Sequence, residues 1–337
     1  MAVAIRSFGK INIGLCIGAA RDDGFHELRT LYQSIALHDI VRIEVQRGTG
    51  IEVRSKNPKV PQDESNTCYR MAERVLRGLK QRQKVVIQIE KNLPVQGGLG
   101  AASSNAVATL LGLERALKAE IPAEEKLRMA SEVGSDVPLF LLGGTVLGMG
   151  RGEEVYPLAD LPEFVMVVAT PAAGVSTPKA FADWDTLHQN GAGKEKLTAG
   201  SSSDRMKGFS RSLFAWLGPG ANGSSTGVST RGGDRAEAPL LDLVRAGIEN
   251  DFERVVFPQH PELREAKRVL EGEGARYASL SGSGSSVYGF FDSQQAAEKA
   301  AASMSAKDVP AQATRTLSRG EYWKQLFVVG NKAAGQG

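Results

Sequence analysis

Residues 94–106 read PVQGGLGAASSNA, a run of glycines and small residues leading into a helical pattern. The first four amides of a helix lack intrahelical partners and sit at the positive end of its dipole. A glycine turn ahead of them lets an anion reach the backbone, so strand, glycine loop and helix together make a phosphate-binding device. On that reading Pro94, Gly97, Gly98, Leu99, Gly100, Ala101, Ala102, Ser103 and Ser104 surround a nucleotide's phosphates. The hydroxyls of Ser103 and Ser104 could meet a phosphate oxygen or Mg²⁺. The plainer alternative is a tight turn whose glycines supply left-handed angles, followed by serines that cap the helix.

Several phosphate devices are excluded. No lysine follows the glycines as in a Walker A loop, and the HRD and DFG signatures of protein kinases are missing. Gly98-Leu99-Gly100 is followed by Ala101, Ala102 and Ser103, which does not complete G-x-G-x-x-G. Two charged residues stand out elsewhere. Asp136 lies in GSDVP, between Gly134 and Pro138, where an acid either caps a helix or accepts a proton. Lys10 opens the pattern KINIGLCIG, where a lone cation is ordinarily a solvated strand end. Asn12, two residues on, shares its strand face.

The pattern P-x-x-x-G-L-G-x-x-S-S-x-A resembles the second motif of the superfamily of galactokinase, homoserine kinase, mevalonate kinase and phosphomevalonate kinase, the GHMP kinases. GKIN at 9–12 resembles its first motif and SLSGSGSSVYGFF at 279–291 its third. RDDGFHELRTLYQSIALHDIV, GSDVPLFLLGG and GRGE at 150–153 are similar, more narrowly, to the 4-diphosphocytidyl-2-C-methyl-D-erythritol kinase family. The resemblance implies ATP with Mg²⁺ as cofactors and the 2-hydroxyl of a cytidine-diphosphate-linked methylerythritol as acceptor. It makes Asp136 the base, and Lys10 the partner that holds its carboxylate ionised. It sets an aromatic, here Phe25 in place of tyrosine, to stack on the cytosine, His26 to bond the base edge, and Phe181 to form a second wall. Asn12 would bond the acceptor, and Gly282, Ser283 and Gly284 of the third motif would line the substrate. Another small-molecule kinase of the same superfamily, of homoserine or mevalonate type, is the alternative; the aromatic in DGFHEL speaks against it. The family loop is usually richer in glycine where this chain has Gln96, Ala101 and Ala102.

The elements that must hold these residues follow from periodicity. Alternation in KINIGLCIG and in DIVRIEVQ (39–46) predicts half-buried strands, and 84–90, 145–150 and 163–171 predict further strands. Helices are expected over 66–80, about 103–118, 123–133, 176–187, 239–256 and 262–274. The resemblance implies an α+β, two-domain GHMP kinase fold: a ribosomal-protein-like N-terminal half over 1–158 and an α/β sandwich half over 159–330, then a tail at 331–337. Residues 189–236, rich in Gly, Ser and Thr, read as a loose insertion in solvent, broken by a short helical piece at FSRSLFAWL.

Composition excludes other classes. A net charge of +3 over 337 residues and no dense Lys/Arg run argue against nucleic acid as a partner. No apolar run spans a bilayer and the first residues carry no signal-peptide core, so a cytoplasmic protein is expected. Cys16 and Cys68 read as small buried apolar groups, and four scattered histidines give no metal pattern.

Overall fold

A computed structural model describes residues 2–189, 199–217 and 248–328. Strands β1 (Val3–Ala20) and β2 (His26–Gln46) form a long antiparallel hairpin. Around it run β3 (Gly50–Ser55), β4 (Lys84–Glu90), β5 (Thr145–Met149) and β6 (Glu154–Pro157), in the order β3-β4-β2-β5-β6 with β1 also on β2. Helices α1 (Thr67–Gly78), α2 (Ala101–Leu117) and α3 (Ala123–Val133) bring Met71, Val75, Leu110, Leu113 and Met129 onto a core with Ile5, Val41, Ile43, Val85 and Ile87 from the strands.

The second sheet has the order β10-β7-β9-β8, from β7 (Val165–Ala169), β8 (Tyr277–Leu280), β9 (Val287–Phe291) and β10 (Ala311–Arg315). Helices α4 (Thr177–Gln189), α5 (Ala199–Leu217), α6 (Glu253–Gln259), α7 (Pro261–Gly272) and α8 (Gln294–Ser305) belong to this half, and α9 (Arg319–Gln325) closes the chain. Trp184, Phe257, Leu263, Leu270 and Ala300 fill its core.

β1 is not half-buried as its alternation suggested. Ile11 and Ile13 pack into one cluster with Met166, Val168, Tyr288 and Phe290 of the second sheet. Asn12, Gly14 and Cys16 on the opposite face are buried too. The hairpin is thus the seam between the halves, with both faces covered.

The reading of 189–236 as a loose insertion fails for residues 199–208, while the helical piece expected at FSRSLFAWL (209–217) is present as the second half of a longer helix. Together they form the 19-residue α5, laid on β1. Ala19 N donates to Ser202 Oγ (2.8 Å), and Arg29 bonds Met206 O and Ser210 Oγ (2.9 and 2.5 Å). Met206 and Leu213 are buried, although the Gly/Ser-rich composition masked their spacing. Residues 190–198 and 218–236 of that insertion, the first half of the 239–256 helix and the tail lie outside the described residues; from 248 the helix begins only at Glu253.

The N-terminal half borrows its last pieces from the end of the chain. Leu317, Tyr322 and Leu326 sit in its core, and Tyr322 Oη donates to Phe140 O at 2.7 Å. Cys16 and Cys68 are free and buried, and burial pushes their thiols up to about 11 and about 12, so neither is a ready nucleophile. Among the described residues no helix is long and apolar enough to cross a membrane.

Candidate active site

Lys10 is no solvated strand end: only 2% of it is exposed. The pairing of β1 with β2 slips between Phe8 and Lys10 and again between Asn12 and Gly14. Such bulges re-aim side chains, and Lys10 and Asn12 emerge together: Lys10 Nζ donates to Asn12 Oδ1 at 2.6 Å. Asn12 Nδ2 donates to Thr30 Oγ1 (2.7 Å), whose hydroxyl donates to Gly14 O (2.8 Å), so the asparagine's orientation is fixed from behind.

Asp136 comes from the turn between α3 and the 3-10 turn Pro138–Leu141. It does not cap that turn, whose N-terminus has no side-chain cap. Its Oδ2 lies 3.3 Å from Lys10 Nζ, and its Oδ1 accepts from Tyr32 Oη at 3.0 Å. The lysine end of the pair is buried and the carboxylate is 35% exposed, so the acid faces the open side.

The two glycine motifs, far apart in sequence, interlock. Gly97 O accepts from Ser286 N (3.0 Å), and Gly98 O from Ser281 Oγ (3.0 Å). Gly98 has φ +75°, and a Cβ there would sit 2.1 Å from Ser281 O, so only glycine fits. Gly100, at φ +67°, passes Lys10 so closely that a Cβ would lie 3.1 Å from its Cγ, and Leu99 O accepts from Lys10 N (3.0 Å). A Cβ on Gly282 would meet Asn12 Oδ1, Lys10 Nζ and Gly98 O within 3.4 to 3.6 Å. Lys10, Asn12, Asp136, Gly98, Gly100 and Gly282 therefore converge on one place. Ser283 Oγ is bonded to Thr177 Oγ1 at 2.7 Å, and Gly284 N closes the turn onto Ser281 O at 3.0 Å.

Helix α2 begins at Ala101 behind Gly100, with no side-chain cap on its first turn. The capping alternative for Ser103 and Ser104 is not realised. Ser104 is buried, and its Oγ accepts from Ser7 Oγ at 2.8 Å; Ser103 is half-buried at the loop. Ala101 and Ala102 are helical, so the missing glycines carry no strain there, while Gln96 alone takes a positive φ of 60°. Beside the loop lies a cleft of about 340 Å³, lined by Pro94, Gly97 through Ser103, and also Val60, Pro61, Asn66 and Lys91.

His26 and Phe181 stack, ring centroids 5.0 Å apart and planes at 12°. His26 Nε2 is 2.7 Å from Asp185 Oδ1. Phe25, the preceding residue, makes no ring contact with that pair; it is 48% exposed, with the Arg151 guanidinium 4.8 Å over its ring. The structure thus joins His26 to Phe181 but does not pair Phe25 with Phe181.

Sequence reading missed Tyr32, Thr30, Ser281 and the knot behind the loop. In that knot the fully buried Asp39 accepts from Lys91 Nζ (2.6 Å), Asn92 N (2.8 Å), Leu93 N (2.7 Å) and Asn105 Nδ2 (3.1 Å). Burial holds the Lys91 ammonium below the usual lysine range even with Asp39 beside it. The knot fastens β2, the exit of β4 and α2 to each other, and so sets where the glycine loop begins.

Comparison with known proteins gives the family. Residues 66–144 match the family "GHMP kinases N terminal domain" and residues 236–309 match "GHMP kinases C terminal". The chain is 35% identical over 294 residues to the 4-diphosphocytidyl-2-C-methyl-D-erythritol kinase of Solibacter usitatus (87% of this chain, 82% of that protein). It is 33% identical over 298 residues to the enzyme of the same name from Acaryochloris marina (88% and 89%). A crystal structure of 4-(cytidine 5'-diphospho)-2C-methyl-D-erythritol kinase superposes with a TM-score of 0.69 at 29% identity, covering 93% of this chain and 98% of the other. A homoserine kinase structure from Cytophaga hutchinsonii, at 19% identity and TM-score 0.67, shares the fold. The chain belongs to the 4-diphosphocytidyl-2-C-methyl-D-erythritol kinase family of the GHMP kinases.

Proposed function

We propose that the chain transfers the γ-phosphoryl group of ATP to the 2-hydroxyl of 4-diphosphocytidyl-2-C-methyl-D-erythritol, a step in non-mevalonate isoprenoid biosynthesis. The observation that carries the mechanism is the buried Lys10 ammonium 3.3 Å from Asp136, beside Gly98 and Gly282 of the interlocked loops. Phosphoryl transfer asks mainly for positioning and for stabilising charge on a loose transition state. The amides after Gly98 and Gly100 supply donors and dipole to the phosphates. Asp136 takes the proton of the acceptor hydroxyl, whose oxygen bonds the γ-phosphorus as the bond to ADP breaks. Lys10 offsets the charge that develops there, and Asn12 orients the hydroxyl.

Mg²⁺ fits as a nucleotide-borne ion. Among the described residues no three His, Cys, Asp or Glu converge as a metal site, and magnesium commonly relies on phosphates and water with few protein oxygens. Ser103 at the loop could add one such oxygen, since Ser104 is engaged with Ser7. The bound ion would neutralise phosphate charge.

Phe25, exposed and backed by Arg151, offers a ring face to the cytosine, with His26 beside it for the base edge. The test is phosphate transfer from ATP to a panel of the cytidine-linked methylerythritol, mevalonate and homoserine. Turnover only with the first is expected; turnover with either of the others in its place would overturn the proposed acceptor.

A further inference from the structure

Tyr32 is buried on β2, and its hydroxyl's hydrogen-bond partner is Asp136. A phenylalanine would fill the same space without a polar atom to satisfy, and a buried hydroxyl costs stability unless it is bonded. The molecule keeps the hydroxyl and makes room for it. The turn at 150–153 passes directly over it: Gly152, at φ +99°, would place a Cβ 2.6 Å from Tyr32 Oη and 3.9 Å from Asp136 Oδ1.

Resting on the function proposed above, we infer that Tyr32 is a positioning residue for phosphoryl transfer, its hydroxyl fixing the plane of the Asp136 carboxylate so that the free lone pairs meet the acceptor hydroxyl. A carboxylate presents about four lone-pair directions. Tyr32 occupies one at Oδ1 from β2, at 3.0 Å, and Lys10 faces Oδ2 from β1, at 3.3 Å. Two donors on neighbouring strands define an orientation that either alone leaves free to rotate. The remaining charges nearby, Arg151 and Glu153 on the covering turn, are bonded to each other at 3.1 Å. Burial, with the Asp136 carboxylate next to it, pushes the Tyr32 phenol well above its usual range, so it remains a donor throughout the working pH range. The Lys10 ammonium also lies 5.4 Å from the Tyr32 ring, so the ring itself supports the lysine and a Phe variant retains that contact.

The experiment uses the full chain with Tyr32→Phe, alone and combined with Asp136→Asn, and Tyr32→3-fluorotyrosine, which keeps the hydroxyl. Misplacing a reacting group by a fraction of an ångström costs about tenfold or more in rate. Tyr32→Phe is expected to lower kcat about tenfold with KM for ATP and acceptor within about twofold, to cause no further loss in the Asp136→Asn background, and to be rescued by the fluorinated tyrosine. Unchanged kcat, or the same loss in both backgrounds, overturns the inference. A readout free of substrate separates this from the choice of acceptor: the ¹⁹F resonance of the fluorotyrosine should move when Asp136→Asn is added, and a resonance that stays in place overturns it. A wild-type chain that transfers nothing to the cytidine-linked acceptor would overturn the proposed function and leave the ¹⁹F result to decide Tyr32.

Discussion

In the proposed mechanism Lys10 trades stability for chemistry. Its side chain is 3% exposed, so the ammonium has lost nearly all its water and recovers it through Asn12 and Asp136. Lys10→Met removes that desolvation and leaves an Asp136 carboxylate that water can still reach, but it also takes the donor from the buried Asn12 Oδ1. The two effects oppose, so the melting temperature should change little while kcat falls by roughly 10²-fold or more; a variant that keeps turnover would contradict the assignment. Phe25 is the opposite case. It is half exposed, so Phe25→Ala should leave urea unfolding within about 0.5 kcal/mol of the parent. Stacking on one base contributes roughly 1–3 kcal/mol, which predicts KM for the cytidine-linked acceptor rising roughly 5- to 150-fold with KM for ATP unchanged. Unchanged acceptor KM would rule out the stacking role.

Glycine spacing, strand period and the three motifs made the elements around the site legible. The strands at 84–90, 145–150 and 163–171 and the helix over 123–133 are where periodicity put them. What escaped are the contacts between elements. Nothing local in QSIALHD says that Asp39 will be buried under Lys91 and three further donors, and nothing in RTLYQS says that Tyr32 will face a turn about a hundred residues later. Register carries that information, and β1 changes register three times. The first half of the helix over 199–217 escaped for another reason: rich in Ser and Gly, it has low intrinsic helix propensity, and packing on β1 outweighs it, whereas the piece at 209–217 was legible. Gly98→Ala tests the interlocked loops: at φ +75° and 2.1 Å from Ser281 O, the added methyl must push the two motifs apart. ATP affinity should drop at least tenfold by titration, and wild-type affinity would show the loops to be independent. Lys91→Met should cost about 3–5 kcal/mol in urea unfolding, because it strands a buried carboxylate.

For the whole molecule, the β1–β2 hairpin belongs to both halves, and the last helix returns to the first core. Residues 1–158 expressed alone would expose Ile11, Ile13 and Ile17 and lack Tyr322 and Leu326, so that fragment should aggregate or resist folding; a soluble, protease-resistant fragment would contradict this seam. The same arrangement explains why the site lies where it does, since the loop of one half and the third motif of the other meet against Lys10 and Asp136 only when the halves are joined. The most direct measurement is single-turnover phosphoryl transfer from ATP to 4-diphosphocytidyl-2-C-methyl-D-erythritol by the parent chain and by Asp136→Asn, with ATP affinity determined on both. A loss of roughly 10²–10⁴ in the transfer rate at near-parental ATP affinity is the predicted result, and an Asp136→Asn chain that transfers at the parental rate would contradict it.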